Sequence, residues 1–389
     1  MGSISERLSS LIHTLYGDKK DQVLLHRPVF EGGEREQIIE CIDSNFVSSV
    51  GAKVTEFEQT IVDFSGSSHG VATVNGTTAL QTALEVVGVQ PGDEVITQPL
   101  TFIATSNAIS HVGARPVFVD VDEDSMGLSP AALLQFLQQY AERKTDGSYN
   151  RRTGRRLAAC VPMHTLGLMA RIEEITAICA EWNIPLVEDA AEALGSKSSG
   201  RHAGTFGRIG VFSFNGNKII TTGGGGMIIT DDEALAKRAK HLTTTAKVPH
   251  PYEFVHDEIG YNYRLPNLNA ALGCAQMARL PEMLKAKAEV GDAYRRFFAD
   301  QAARFIEPRA GTDWNHWLCS ILLSNKSERD DLLRALNANE IQARPLWTLM
   351  TALPMYAGYQ SDGGATARYL VDRVVSLPSS VPDGALAKL

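Results

Sequence analysis

The chain begins in helical patterning. Leucine and isoleucine recur at helical spacing from Ser5 to Tyr16, and single apolar faces recur over Glu31–Ser44 and Val54–Ser65, separated by a polar turn at 45–51. From Gly70 the pattern changes to short apolar, β-type runs alternating with helical ones. Strands are predicted at Val71–Val74, Glu94–Gln98, Pro116–Val121, Leu157–Met163, Pro185–Glu188, Val211–Phe214 and Gly226–Thr230. Between them the spacing predicts a helix from Asn75-Gly76-Thr77-Thr78 through Val87, and others over Phe102–Val112, Ser129–Tyr140, Ile172–Trp182 and Asp232–Leu242. Repeated alternation of this kind implies an α/β fold, with a mostly parallel sheet covered by helices on both faces. In such sheets ligands sit at the carboxyl ends of the strands.

After Pro266 the pattern turns helical again. Two helices, Leu268–Leu280 and Met283–Gln301, are expected to part near Pro281. A strand at Leu318–Leu323 and a helix at Ser327–Asn337 then suggest a smaller α+β unit. We therefore expect residues 1–265 to form an N-terminal segment and large α/β domain, and residues 266–389 to form connecting helices and a small C-terminal domain. Composition adds mainly exclusions. With 44% hydrophobic and 21% charged residues and a net charge of −8, the balance is that of a soluble globular chain without the basic surface a nucleic-acid partner needs. No apolar run has the length of a membrane span. The start, MGSISERLSSLIHTLYGDKK, lacks the basic-then-apolar plan of a signal peptide, so a cytoplasmic location is expected. The five cysteines are scattered, with no Cys-x-x-Cys pair, which argues against zinc ribbons and fits buried thiols in a reducing compartment; no metal site is expected.

Candidate chemistry centres on Gly210–Met227, GVFSFNGNKIITTGGGGM, where one lysine, Lys218, stands between apolar β-type residues and a run of four glycines. Lysines are mostly solvated, and that is the ordinary reading. The alternative is an amine in a partly desolvated pocket, ready to form a Schiff base. Pyridoxal phosphate would ask for that amine, an acid for its pyridine nitrogen, donors for its phosphate and a flat cover for its ring. Asp189, ending an apolar strand, could be the acid, although a lone aspartate there is also a common helix N-cap. Gly76, Thr77 and Thr78 at a strand-to-helix turn suit a phosphate, as does Ser213, five residues before Lys218. Phe102 could cover a ring or sit in the core. The four glycines do not make a phosphate loop: no Gly-Lys-Ser/Thr is present and a β-type run follows, so they let the backbone turn and pass close to a ligand or a second chain. The basic stretch at 142–156 is either a solvated hairpin or a lip for an anionic ligand.

The ordered motifs NGTTAL, PLTFIATSNAI, PVFVDVD, PLVEDAAEALGS, VFSFNGNK, TTGGGGM and GYNYRLPNLNAALG together resemble the DegT/StrS-like sugar aminotransferases, over about Pro28 to Pro378. HRPVFEG, FVSSVG, DEVITQPLTF, VPMHTLG and HLTTTAKVPHPYE are similar to the branch acting in bacillosamine and legionaminic acid pathways. The resemblance implies the aspartate-aminotransferase fold (fold type I) with pyridoxal phosphate as cofactor. It puts the Schiff-base lysine on Lys218, the pyridine-nitrogen acid on Asp189, the phosphate contacts on Thr77, Thr78 and Ser213, and the stacking aromatic on Phe102. It also implies that Asn262 serves the neighbouring subunit's phosphate, hence a homodimer with shared sites. One departure is Glu192, where much of the wider family has glutamine near the cofactor's phenolic oxygen. The implied reaction moves an amine from L-glutamate to carbon 4 of a nucleotide-linked 4-keto-6-deoxy-N-acetylglucosamine, with UDP favoured over GDP as carrier. Asn45–Val50, His164, His316, Arg344 and Trp347 are candidates for the sugar pocket, each histidine having a structural alternative. Two other readings remain: a sugar dehydratase of this fold, which Lys218 opposes because that branch carries histidine there, and a non-catalytic binding module.

Overall fold

The computed structural model describes residues 3–17 and 22–386; the outer ends of the two expected domains, at 1–2 and 387–389, lie outside the described residues. Seven strands assemble into one mixed sheet. His69–Thr73, Gly226–Thr230, Ile209–Ser213 and Val187–Asp189 lie side by side in that order. Arg115–Phe118, Glu94–Thr97 and Leu157–Val161 form a second, all-parallel set. Parallel bridges from Cys160 to Leu186 and from Met163 to Asp189 join the two sets. Only Gly226–Thr230 runs against its neighbours. The strands are buried almost throughout, as the near-continuous apolar runs require of a sheet covered on both faces.

The helices follow the expected pattern with shifted ends: Gly76–Val86, Ile103–His111, Pro130–Tyr140, Ile172–Glu181 and Glu233–Thr243. Helix Ala52–Ser65 packs against Asn267–Ala278, bringing Phe57 edge-on to Phe214 at 5.0 Å between ring centres. Gly273 makes this approach possible, since a Cβ there would lie 2.6 Å from the Phe57 ring. Phe57 and Phe214 are both fully buried, each contributing about 1.5–3 kcal/mol. That pair anchors the chain immediately after Ser213, where the site begins.

One expected boundary shifts by two residues, and the basic stretch takes its hairpin form. The connecting helices part near Pro281, as expected, with the break at Arg279 and Pro281 in the first turn of Leu280–Phe298. A proline is tolerated there because the first-turn N–H has no intrahelical partner to lose. The basic 142–156 stretch is a hairpin, with Ala141–Lys144 paired to Gly147–Asn150. It stands as a separate two-stranded sheet beside the amino ends of Glu94–Thr97 and Leu157–Val161, and Arg156 pairs with Asp93 at 2.6 Å. The C-terminal part carries a four-stranded antiparallel sheet in the order Arg304–Phe305, Ser320–Leu322, Val374–Ser376, Arg344–Pro345. All five cysteines are buried and unpaired. Among the described residues no helix is long and apolar enough to cross a membrane.

Candidate active site

The carboxyl ends of the central strands face a cavity of about 330 Å³. Asn75 caps helix Gly76–Val86, its Oδ1 accepting the Thr78 N–H at 2.9 Å, while the Thr78 hydroxyl donates to the Asn75 carbonyl at 2.9 Å. Thr78 is therefore committed to the cap and does not line the cavity, contrary to expectation; Gly76 and Thr77 do line it. Their first-turn amides, and the Thr77 hydroxyl, are left for a ligand at the positive end of the helix. Ser213, the last residue of its strand, stands opposite. A Cβ on Gly76 would come within 2.8 Å of the Ser213 Cβ, so glycine is what lets helix and strand meet. Gly226 makes a similar approach: a Cβ there would lie 2.4 Å from the Asn75 carbonyl oxygen. The glycine run thus passes close to this chain's own cap.

Asp189 ends Val187–Asp189 and is followed by a turn, so the helix N-cap alternative is excluded. Its Oδ2 accepts the Thr105 hydroxyl at 2.7 Å and its Oδ1 the Ala191 N–H at 3.2 Å. Burial pushes the carboxyl up from 3.8, while Thr105, Ala191 and Lys218 act in the opposite sense. Lys218 is not solvated: its side chain is 11% exposed, its Nζ is 3.2 Å from Glu192 Oε1, and it lies 4.2 Å from the centre of the Trp317 ring. Glu192 is buried, and its Oε2 accepts the Leu166 N–H at 2.9 Å. Burial raises its carboxyl from 4.5 to about 7, against the pull of Lys218.

Phe102 lines the cavity, half exposed, with its ring edge-on to Trp347 at 6.2 Å. Trp347 is the one proposed sugar-pocket residue that reaches the cavity. The others are placed elsewhere. His164 is fully buried, its Nε2 3.1 Å from Glu188 Oε2 and its Nδ1 accepting the Ala170 N–H. Glu188 in turn receives the N–H groups of Gly204, Phe206 and Gly207, so this pair fixes a turn. His316 packs on Trp314 and on Gly291, where a Cβ would meet its ring at 2.4 Å. Arg344 donates to Asn337 Oδ1 at 2.8 Å in the small sheet. The 45–50 turn and the basic hairpin are also outside the cavity of their own chain, the hairpin lying at the amino ends of the strands. Asn262 is exposed and outside it too, with its Oδ1 held by the Arg264 guanidinium.

Sequence reasoning missed Trp317, Thr105 and the Asn215–Asn217 turn. Trp317 donates from Nε1 to the Asn217 carbonyl at 2.7 Å, and Asn315 donates to the Glu192 carbonyl at 2.7 Å. Residues 315–317 thus tie the Glu192 and Lys218 turns together from some hundred positions away. Thr105 carried a usable signal: it lies one helical turn from Phe102, on the side facing Asp189. Trp317 carried none, being one aromatic among apolar neighbours.

This geometry fits comparison with known proteins. The model of the DegT/DnrJ/EryC1/StrS aminotransferase family matches residues 30–382. EpsN of Bacillus subtilis, whose name reads "Putative pyridoxal phosphate-dependent aminotransferase", is 35% identical over 363 residues, covering 92% of this chain and 91% of that protein. A GDP-perosamine synthase of Caulobacter vibrioides is 35% identical over 339 residues, covering 86% and 87%. Among solved structures, the aminotransferase TlmJ of Streptoalloteichus hindustanus superposes with a TM-score of 0.84 at 26% identity, covering 94% of this chain and 96% of that one.

Proposed function

The chain belongs to the DegT/DnrJ/EryC1/StrS aminotransferase family, and from that premise we infer that Lys218 carries its cofactor and that its acceptor is a nucleotide-linked keto sugar. The protein is a pyridoxal phosphate-dependent sugar aminotransferase of fold type I. The observation that carries the assignment of roles is the enclosed Lys218 side chain, 11% exposed, facing a cavity that also holds Asp189, Ser213 and the free first turn of helix Gly76–Val86. The donor set suits the group: N–H and hydroxyl donors for a phosphate at one side, a buried carboxylate for a ring nitrogen, and an amine for an aldehyde.

When bound, pyridoxal phosphate supplies an aldehyde that condenses with amines and a ring that draws electrons from the adjacent carbon. This chain's residues do the rest. Gly76, Thr77 and Ser213 hold the phosphate, aided by the helix dipole. Asp189, oriented by Thr105 and Ala191, keeps a proton on the pyridine nitrogen. Phe102 would supply the flat apolar cover for the ring. Lys218 Nζ would move a proton between the carbon bearing the amine and the cofactor's aldehyde carbon, in one direction with the donor and in the other with the acceptor. Trp317 and Trp347 close the cavity against water.

The amino donor is L-glutamate. The acceptor is a UDP-linked 4-keto-6-deoxy-N-acetylglucosamine, aminated at carbon 4 in a bacillosamine- or legionaminic acid-type route to bacterial surface glycans, in the cytoplasm. A GDP-linked keto-deoxysugar is the second reading, favoured by the relatives named GDP-perosamine synthase. The enzyme works as a homodimer in which Asn262 serves the partner's cavity; its exposure outside its own chain's cavity supports this. The test is to supply pyridoxal phosphate, L-glutamate and each keto sugar nucleotide, following 2-oxoglutarate release and amine formation by mass spectrometry. Amine on the UDP sugar is expected. Amine on the GDP sugar alone selects the second reading, and no 2-oxoglutarate with either overturns the enzymatic assignment of the cavity.

A further inference from the structure

Glu192 is not accounted for by the roles above. It is 3% exposed, so its carboxylate has almost no water. Its Oε2 is held by one N–H, that of Leu166, and its Oε1 points at Lys218 Nζ at 3.2 Å. The turn that supplies the N–H is built for it. Leu166 is a buried, non-glycine residue in the left-handed region, at φ 57° and ψ 20°, a conformation that costs roughly 1–3 kcal/mol. Gly167 follows at φ 84°, where a Cβ would lie 2.9 Å from the Glu192 carbonyl oxygen. Backbone strain is thus spent on presenting one donor to this carboxyl and on closing the chain around it.

We propose that Glu192 is the proton-holding partner of Lys218: its carboxylate keeps a proton on the Lys218 nitrogen and so links the reactivity of that nitrogen to pH. The inference rests on Lys218 being the cofactor's anchor. When the Lys218 nitrogen is joined to the cofactor it remains a site for one proton, and a carboxylate in contact favours the protonated, positively charged form. No bond to carbon changes; one proton stays on nitrogen when Glu192 is ionised and leaves to solvent more readily when it is not. The surrounding groups do not cancel this effect. Asp189, on its strand, adds a second negative charge; His164 is turned away onto Glu188. Lys287 lies behind Trp317, donating to its carbonyl at 3.3 Å, with His26 2.9 Å from the Lys287 amine. Burial brings the Glu192 carboxyl to about 7, which makes its ionisation change within the working range of pH.

The test uses the holoenzyme and reads the absorbance of the Lys218-bound cofactor from pH 5 to 10. Glu192→Gln keeps the shape and the acceptor for Leu166 but removes the charge. The midpoint of the absorbance change should fall by about one pH unit or more, and Glu192→Asp should lie between wild type and the glutamine variant. An unchanged midpoint, or a pH-invariant spectrum in all three proteins, overturns the proposal. A second measurement needs no variant: a carbon-13 titration of the glutamate-labelled, cofactor-free protein should show one carboxyl with a midpoint near 7, the value burial gives Glu192. All carboxyls titrating near 4.5 would overturn it as well. If the wild-type absorbance survives Lys218→Arg, the anchor assignment has failed instead, which separates the two.

Discussion

Gly76→Ala tests how the phosphate end of the cavity is built. The added Cβ would sit 2.8 Å from the Ser213 Cβ and 3.1 Å from its Oγ. Neither side yields easily. Gly76 opens a helix capped by Asn75, and Ser213 is held in register opposite Gly226. The helix N-terminus and the strand end must therefore separate by a few tenths of an ångström, an overpacking of about 1–3 kcal/mol. These elements carry the proposed phosphate donors, so separation weakens one or two charge-assisted hydrogen bonds. At about 1.5–3 kcal/mol for a bond to a charged group, cofactor affinity should fall roughly 10- to 150-fold. Alanine is itself a better helix former than glycine, so the helix does not suffer for other reasons. Gly216, in the turn before Lys218, is the control: a Cβ there meets nothing within 4 Å. The assay is equilibrium titration of the cofactor-free protein with pyridoxal phosphate. Wild-type affinity in Gly76→Ala, or equal losses in Gly76→Ala and Gly216→Ala, would refute the reasoning.

Other expectations follow from the same geometry. Asp189→Asn keeps a partner for Thr105 but loses the charge, and should weaken cofactor binding about tenfold to a hundredfold while lowering turnover further; unchanged turnover would remove Asp189 from its role. Trp317→Ala should loosen the Lys218 turn and raise the rate at which the Lys218-bound cofactor is lost to hydroxylamine; wild-type rates would show that the ring does not shield it. Acid stability should follow His202 and His316, both lowered by burial from 6.5 to about 4. The unfolded chain takes those protons first, so their contribution is full above pH 6.5 and falls away as pH drops towards 4, by up to roughly 3 kcal/mol each. His316→Asn should flatten that slope in urea unfolding measured between pH 7 and 4.5, asparagine tolerating the left-handed backbone at φ 50°; an unchanged slope would assign the acid lability elsewhere.

The sheet was legible because its strands are buried on both faces and so stand out as apolar runs, each punctuated by a helical period. The positions of Asp189, Ser213 and Lys218 at the carboxyl ends of those runs followed from the α/β architecture itself. What the sequence concealed was of two kinds. Proline at 281 marks a helix boundary in a one-dimensional pattern, but a first-turn proline starts a helix, so the boundary lies two residues before it, at Arg279. Residues brought to the cavity from distant segments, Trp317 above all, carry no local periodicity that distinguishes a cavity wall from the core. The histidines took the structural alternative open to each. His164 and His316 have the chemistry of a site, but burial has turned one onto Glu188 and the other into a wedge between Trp314 and Gly291.

The central claim is that Lys218 is the covalent anchor of pyridoxal phosphate. Borohydride reduction of the holoenzyme fixes the cofactor to whichever amine holds it, and proteolysis with mass spectrometry then locates it. A single modified peptide spanning Gly210–Met227 is expected, with the label on Lys218 and none in the Lys218→Arg protein. A label on any other lysine, or no label on protein that retains the cofactor's absorbance, would contradict it.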